Sequence, residues 1–298
     1  MQSVPLDQIE AEAAERRIER VYALPSPPAA VRQLLAMQQD SLLGDQLQSL
    51  FDSRPNLRRQ LTACQQLLRA VTDAGKKRRK EDRHVHRIVL AIAVARSFSY
   101  VCNGPLGAHA FWHHGLSNAV LCYKLAPRRL CKGMAFMTGL LHNIGFMVIA
   151  YLFPPEFKML NRLFASHPEM SATVLERCVL GMGEAQELLS MGHAQTGCWL
   201  LQEWGMPTEP AIVAREHHNA GYRGLAEDYC SLVMAANRLL AAHAIGDTSA
   251  DPLDGDVYPE LIAVLPAMAD VAKYLASGSE SMASAVRELI ACPNIQRV

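Results

Sequence analysis

Residues 133–153 read GMAFMTGLLHNIGFMVIAYLF and contain no Asp, Glu, Lys or Arg over 21 positions. An apolar run of this length is long enough to cross a bilayer. His142 and Asn143 lie at its centre, however, where unpaired polar groups are costly in lipid, and no aromatic belt flanks the run. We therefore predict a helix that is buried on all sides in the core of a globular fold.

Apolar side chains recur at helical spacing along the chain, and almost no segment shows the period of two that is typical of a strand. One such face within the 133–153 run comprises Met134, Met137, Leu141, Ile144 and Val148. A chain of 298 residues of which 50% are apolar can bury a large core. The sequence predicts an all-α globular protein.

Charge and cysteine usage narrow the function classes. Lys plus Arg equals Asp plus Glu at 29 each, so no overall field favours nucleic acid or an anionic membrane. The eight cysteines lie singly, without a Cys-x-x-Cys pair, and no signal peptide follows Met1. We expect reduced, mostly buried thiols in a cytoplasmic protein.

Breaks in the helical pattern predict the domain organisation. Residues 1–23 are predicted to form a linker helix with a narrow apolar stripe, which ends at a proline-rich turn. Residues 24–105 form an N-terminal helical part, residues 106–220 a helical bundle, and residues 221–298 C-terminal helices that pack on it. The basic run at 76–83 is interrupted by Glu81 and Asp82 and has no interleaved aromatic residues. It therefore predicts a solvated surface and no nucleic-acid site.

One helix end carries explicit signals. Gly205 follows Trp204 as a candidate left-handed C-cap, Pro207 comes two residues later, and Pro210 fits the first turn of the next helix. That next helix carries Glu216, His217 and His218.

Six of the eleven histidines fall in four places within apolar helical segments. They are His113, His114, His142, His193, His217 and His218. A lone histidine near an apolar helix is typically a hydrogen-bonded core residue. Four groups that are each separated by a helix or more predict side chains that converge on one interior point, as in helical metal sites.

These segments resemble the successive signatures of the HDOD domain, the HD-related output domain of bacterial signalling proteins. The segments are Phe111-Trp112-His113-His114-Gly115-Leu116, Gly139-Leu140-Leu141-His142-Asn143-Ile144-Gly145, Gly192-His193, Trp204-Gly205-Met206-Pro207 and Glu216-His217-His218. The resemblance covers about residues 20–220. It implies an HD-superfamily helical bundle with an N-terminal helical subdomain.

Catalytic HD-superfamily hydrolases use a first histidine, a His-Asp doublet and a distant aspartate to hold divalent metals. By position, His114 matches the first histidine and His142 the doublet histidine. Asn143 and Asn237 stand where the resemblance implies the two aspartates. An amide brings no charge to offset the repulsion between two ions, so we expect two-metal hydrolysis to be lost.

The remaining imidazoles leave two interpretations open. They could hold a single transition metal such as zinc, iron or nickel, or they could hydrogen-bond to one another and to Asn143. We favour the second, and therefore expect no cofactor. His193 and the His217-His218 pair are also similar to residues of cyclic-dinucleotide phosphodiesterases, but Arg223 replaces the proline of their Gly-Tyr-Pro signature.

The sequence predicts three alternative functions. The first is a non-catalytic regulatory module that binds other signalling proteins, with self-association left open. The second is a metal-dependent phosphohydrolase acting on a nucleotide or cyclic dinucleotide. The third is a sensor of a small anionic, nucleotide-like ligand that uses His114, His142 and Arg223 as donors.

Overall fold

The computed structural model describes residues 24–37, 42–71, 82–98, 103–179, 186–246 and 259–291. The predicted helix at 1–23 and residues 76–81 of the basic run lie outside this part, as do residues 247–258 and 292–298 of the predicted C-terminal region. The described residues form helices and contain no strand, which confirms the all-α prediction. In chain order they are α1 (Ala29–Ala36), α2 (Leu43–Ser53), α3 (Pro55–Ala70), α4 (Asp82–Ala95), α5 (Ala108–Leu125), α6 (Lys132–Leu141), α7 (Gly145–Leu152), α8 (Pro154–Ser166), α9 (Ala172–Cys178), α10 (Gln186–Glu203), α11 (Thr208–Glu216), α12 (Glu227–Ala241), α13 (Pro259–Ala276) and α14 (Glu280–Ile290).

Helix α6 forms the centre of the bundle. Every residue from Gly133 to Leu141 is buried, because α4, α5, α11 and α12 all pack around this helix. Lys132–Leu152 is apolar and long enough to cross a membrane by composition, but 83% of its most apolar window is buried inside the fold. That is the environment of a core helix, as predicted from the polar centre of the run.

The prediction of one continuous helix over 133–153 was wrong. The chain turns at residues 142–144, where the amides of Ile144, Phe146 and Met147 each donate to the carbonyl three residues earlier, at 2.9–3.1 Å. This tight 3₁₀-type turn separates α6 from α7. It also places His142 and Asn143 between two helices instead of within one.

Helices α7 and α10 cross with almost no side chain between their backbones. A Cβ atom on Gly145 would overlap the carbonyl oxygen of His193 and would lie 2.7 Å from the backbone nitrogen of Gly197. Only glycine permits this approach, which brings the start of α7 against the part of α10 that carries His193.

The predicted helix stop at Gly205 is confirmed. Gly205 has φ +65°, its amide donates to Gln202 O at 2.9 Å, and the amide of Met206 donates to Leu201 O at 2.9 Å. These two bonds form a Schellman motif, and Pro207 then caps α11.

The first and last described segments pack on this core. Trp204 Nε1 donates to Pro25 O at 2.8 Å, and His86 Nε2 donates to Leu34 O at 2.8 Å, so the N-terminal segment is tied to α10 and α4. Helix α13 packs on α5 and α12, and α14 packs on α3 and α5.

Gly145→Ala should destabilise the protein by about 1–3 kcal/mol, because the added methyl group forces α7 away from α10. Urea unfolding followed by far-UV circular dichroism measures the change. Gly221→Ala is the matched control, since its Cβ would meet only the side-chain oxygen of Asn219 at 3.6 Å. Equal stability of the two variants would contradict the backbone contact.

Candidate functional site

Five of the six candidate histidines meet in the interior of the bundle. His114 lies on α5, His142 follows α6, His193 lies on α10, and His217 and His218 follow α11. Neighbouring ring centroids are 5.1 Å apart for His114 and His142, 5.0 Å for His142 and His217, 5.3 Å for His217 and His193, and 5.1 Å for His193 and His218. We call these five residues the histidine cluster.

His113 does not belong to the histidine cluster. Adjacent residues of a helix point about 100° apart, and its ring faces α13, where Nε2 donates to the carbonyl of Leu275 at 3.1 Å. The metal role expected for His113 is therefore replaced by a contact that ties the C-terminal helices to α5.

A buried carboxylate orients His193. Glu176 on α9 is 2% exposed, and its Oε1 accepts the backbone N–H of His193 at 2.7 Å and the Nδ1–H at 2.9 Å. Gly192, with φ +70°, breaks α10 so that this amide is free to donate. Phe146 stacks on the other side of the imidazole with its centroid 4.1 Å away.

Sequence reasoning missed Glu176. A faint signal exists, since Ala172, Leu175, Glu176 and Val179 share helical spacing, which places one acidic residue on an otherwise apolar face. Nothing in that pattern identifies His193, 17 residues later, as its partner.

The hydrogen bonds also determine which ring nitrogens carry protons. Nδ1 of His142 lies 2.8 Å from Gly139 O, and Nδ1 of His217 lies 2.8 Å from Ala214 O. A carbonyl only accepts, so both Nδ1 atoms carry the hydrogen and both neutral rings present a lone pair at Nε2. His142 Nε2 is buried and has no hydrogen-bond partner among the described residues.

Burial keeps these rings neutral. It lowers the pKa of His142 and of His217 well below the usual histidine value, and the neighbouring histidines lower both further. Their Nε2 lone pairs are therefore retained at neutral pH.

The lone pairs suit a cation. His193 Nε2 lies 3.3 Å from His217 Nε2 and 3.2 Å from His218 Nε2, and one ring nitrogen of each lies within 4.8 Å of the others. Two neutral rings that both donate through Nδ1 would bring lone pairs face to face unless a proton or metal ion lies between them. Three imidazole nitrogens, one backed by a carboxylate, fit a single transition metal such as zinc, iron or nickel.

On the His114 side of the cluster, the hydrogen-bond partners are side-chain amides. Asn237 Oδ1 accepts His114 Nε2–H at 2.9 Å and Asn118 Nδ2–H at 2.7 Å. The side-chain oxygen of Asn143 does not accept the hydrogen bond expected from the histidines, since Oδ1 is buried without a partner among the described residues. His142 is buried in the cluster, whereas Asn143 lines the neighbouring cavity.

A cavity of about 380 Å³ opens beside the cluster, with His114, His218, Asn143 and Asn237 on its wall. His142 does not line it and Arg223 does not either. Arg223 is exposed and donates to Ala220 O and Tyr222 O at 3.1 and 2.9 Å. The expected trio of donors for an anion, His114, His142 and Arg223, is therefore not assembled.

The family model of the HDOD domain matches residues 62–220, just over half of the chain. A comparison with curated proteins found no match.

Several solved structures are similar in fold. A candidate signal transduction protein of Marinobacter aquaeolei VT8 is 22% identical, with a TM-score of 0.72. The match covers 95% of this chain, and this chain spans 65% of that protein's length. A candidate phosphohydrolase of Shewanella amazonensis SB2B is 19% identical with a TM-score of 0.64, covering 93% and 98% of the two chains. An HDOD domain protein of unknown function from Geobacter sulfurreducens is 17% identical with a TM-score of 0.64, covering 95% and 99%.

Acidification should destabilise the protein through His142 and His217. The unfolded chain takes up their protons near the usual histidine pKa of 6.5, whereas the folded chain does so only at lower pH. The unfolded state thus binds more protons below pH 6.5, and the free energy of unfolding falls by up to about 1.4 kcal/mol per pH unit for each group.

Urea unfolding at several pH values, with a chelator present to exclude metal, measures this slope. His142→Gln should unfold with a shallower slope, because one of the two groups is gone. A slope that stays the same in His142→Gln would contradict the assignment.

Proposed function

Because this chain belongs to the HDOD domain family, we propose that it is a cytoplasmic, non-catalytic signalling module that acts by binding a partner or ligand at a degenerate HD site. The partners would be other signalling proteins, and the site would comprise His114, His142, Asn143 and Asn237. The candidate signal transduction protein of Marinobacter aquaeolei, which resembles this chain in fold, supports a signalling role without specifying one.

The observation that carries this proposal is that the side chain of Asn237 is already hydrogen-bonded within the protein. Its side-chain oxygen already accepts hydrogen bonds from His114 and Asn118, at 2.9 and 2.7 Å. A carboxylate at this position would be a metal ligand by resemblance, whereas the amide is neutral and serves as an internal hydrogen-bond acceptor. His114 is thereby held in a form that donates from Nε2 and cannot bind metal through that atom.

The charge around the cluster supports the same conclusion. Among the described residues the carboxylate that contacts the cluster is Glu176, and one of its oxygens is committed to both donors of His193. Two divalent ions held by neutral imidazoles and amides would repel each other without compensation. Two-metal activation of water is therefore not favoured here.

A metal-dependent phosphohydrolase is the alternative, and the three convergent ring nitrogens favour it. His193, His217 and His218 would hold one ion, with Glu176 orienting His193. When bound, that ion would act as a Lewis acid toward a ligand oxygen or water.

The non-catalytic proposal predicts no turnover of p-nitrophenyl phosphate esters, nucleotides or a cyclic dinucleotide by tag-free protein supplied with Mn²⁺, Fe²⁺ or Mg²⁺. Wild type and His142→Ala should both match the protein-free blank. His167→Ala, an exposed histidine away from the cluster, is the control. Metal-dependent turnover that only His142→Ala loses would establish the alternative.

Metal content is a separate measurement. If the three-histidine site holds an ion, elemental analysis of protein purified without an affinity tag should find close to one transition metal per chain. His193→Ala should lose it and His167→Ala should retain it. Metal-free wild-type protein after growth in metal-supplemented medium would eliminate the phosphohydrolase alternative.

A further inference from the structure

The cavity beside the histidine cluster has aromatic walls. Phe111 on α5, Phe146 on α7 and Phe164 on α8 all line it, and the rings of Phe146 and Phe164 meet edge to face with centroids 5.8 Å apart. Its volume of about 380 Å³ lies in the range of pockets for small organic ligands. Aromatic walls favour a flat, apolar body.

The cavity carries no formal charge on its described lining. None of the described residues that line it is Asp, Glu, Lys or Arg, and its polar members are His113, His114, His218, Asn143 and Asn237. A phosphate or carboxylate that entered would lose its hydration and gain no described cationic partner. That transfer is unfavourable, so the lining selects against anions.

Most polar groups of the lining already have partners. His113 Nε2 is bonded to Leu275 O, and His114 Nε2 is bonded to Asn237 Oδ1. Asn143 differs, since its Oδ1 is buried and has no partner within the described residues. A carbonyl oxygen that is buried without a partner costs free energy. Asn143 as a whole is half-buried and lines the cavity, and a primary amide can accept and donate along one edge, so this side chain offers a ligand in the cavity a hydrogen-bonding group.

We propose that this cavity binds an uncharged, flat small molecule that presents an amide-like edge to Asn143 and its apolar body to the three phenylalanines. This assignment rests on the proposed binding function and replaces the nucleotide-like ligand expected from the sequence. In this proposal Asn143 hydrogen-bonds the ligand, at the position where the resemblance implies a metal-binding aspartate.

Three ligands test the proposal: benzamide, benzoate and phenyl phosphate. Each has one phenyl ring, but benzamide is uncharged and presents a primary amide, whereas the other two are anions. Binding is measured by isothermal titration calorimetry and ligand-observed NMR on the full chain, with a chelator present so that no metal recruits the anions. Benzamide should bind, and both anions should bind at least about tenfold more weakly.

Two variants locate the binding. Asn143→Ala should weaken benzamide about tenfold, the loss expected for a hydrogen-bonded amide. Ala110→Phe, at an exposed helical position on the cavity wall, should abolish binding by filling the space. Ala165→Phe, exposed on α8 and outside the cavity, should bind as wild type does. Circular dichroism confirms that each variant is folded.

The proposal is overturned if benzamide does not bind at millimolar concentration, if either anion binds as tightly as benzamide, or if Ala110→Phe leaves binding unchanged. These outcomes are separate from the test of the proposed function. Turnover of a phosphoester would refute the non-catalytic role whatever the cavity prefers, and equal binding of phenyl phosphate would refute this ligand class without implying hydrolysis.

Discussion

The backbone contact between α7 and α10 at Gly145 and Gly197 is the constraint on which the site depends. It allows α7 to follow a tight turn at residues 142–144 and still pack closely against α10. The turn brings His142 beside His217, and the contact brings Phe146 onto the ring of His193. A side chain at Gly145 would separate the two segments that supply His142 and His193.

Burial then determines the chemistry of the cluster. Removing imidazoles from water favours their neutral form, and the carbonyls of Gly139 and Ala214 hold the hydrogen on Nδ1. As a result, the buried rings of His142 and His217 present their Nε2 lone pairs to the centre of the cluster. The carboxylate of Glu176 lies on the opposite side of His193, where it accepts the Nδ1–H. Asn237 and Asn118 satisfy the opposite side with amides, so the site divides into a half suited to one cation and a half without charge.

Much of the fold could be predicted from the sequence, because burial and helix ends leave periodic or local signals. The buried α6 followed from an uncharged run with a polar centre, and the helix end at Gly205 followed from glycine and proline two residues apart. The break at residues 142–144 was not predicted, since the backbone contact beside it is with α10, about 50 residues away along the chain. Partners at that distance leave no trace in local spacing.

The sequence by itself determined the all-α class and family membership, because motif order and helical periodicity are properties of the chain alone. It also led to the prediction, from the resemblance, that Asn143 and Asn237 stand where the two aspartates are expected. The tertiary structure decided which histidines meet: it turned His113 toward α13, left Arg223 on the surface and paired Glu176 with His193. The reason is physical, since a side chain's direction follows from its helix's rotation against neighbours, and a ring's protonation follows from hydrogen bonds that only packing supplies.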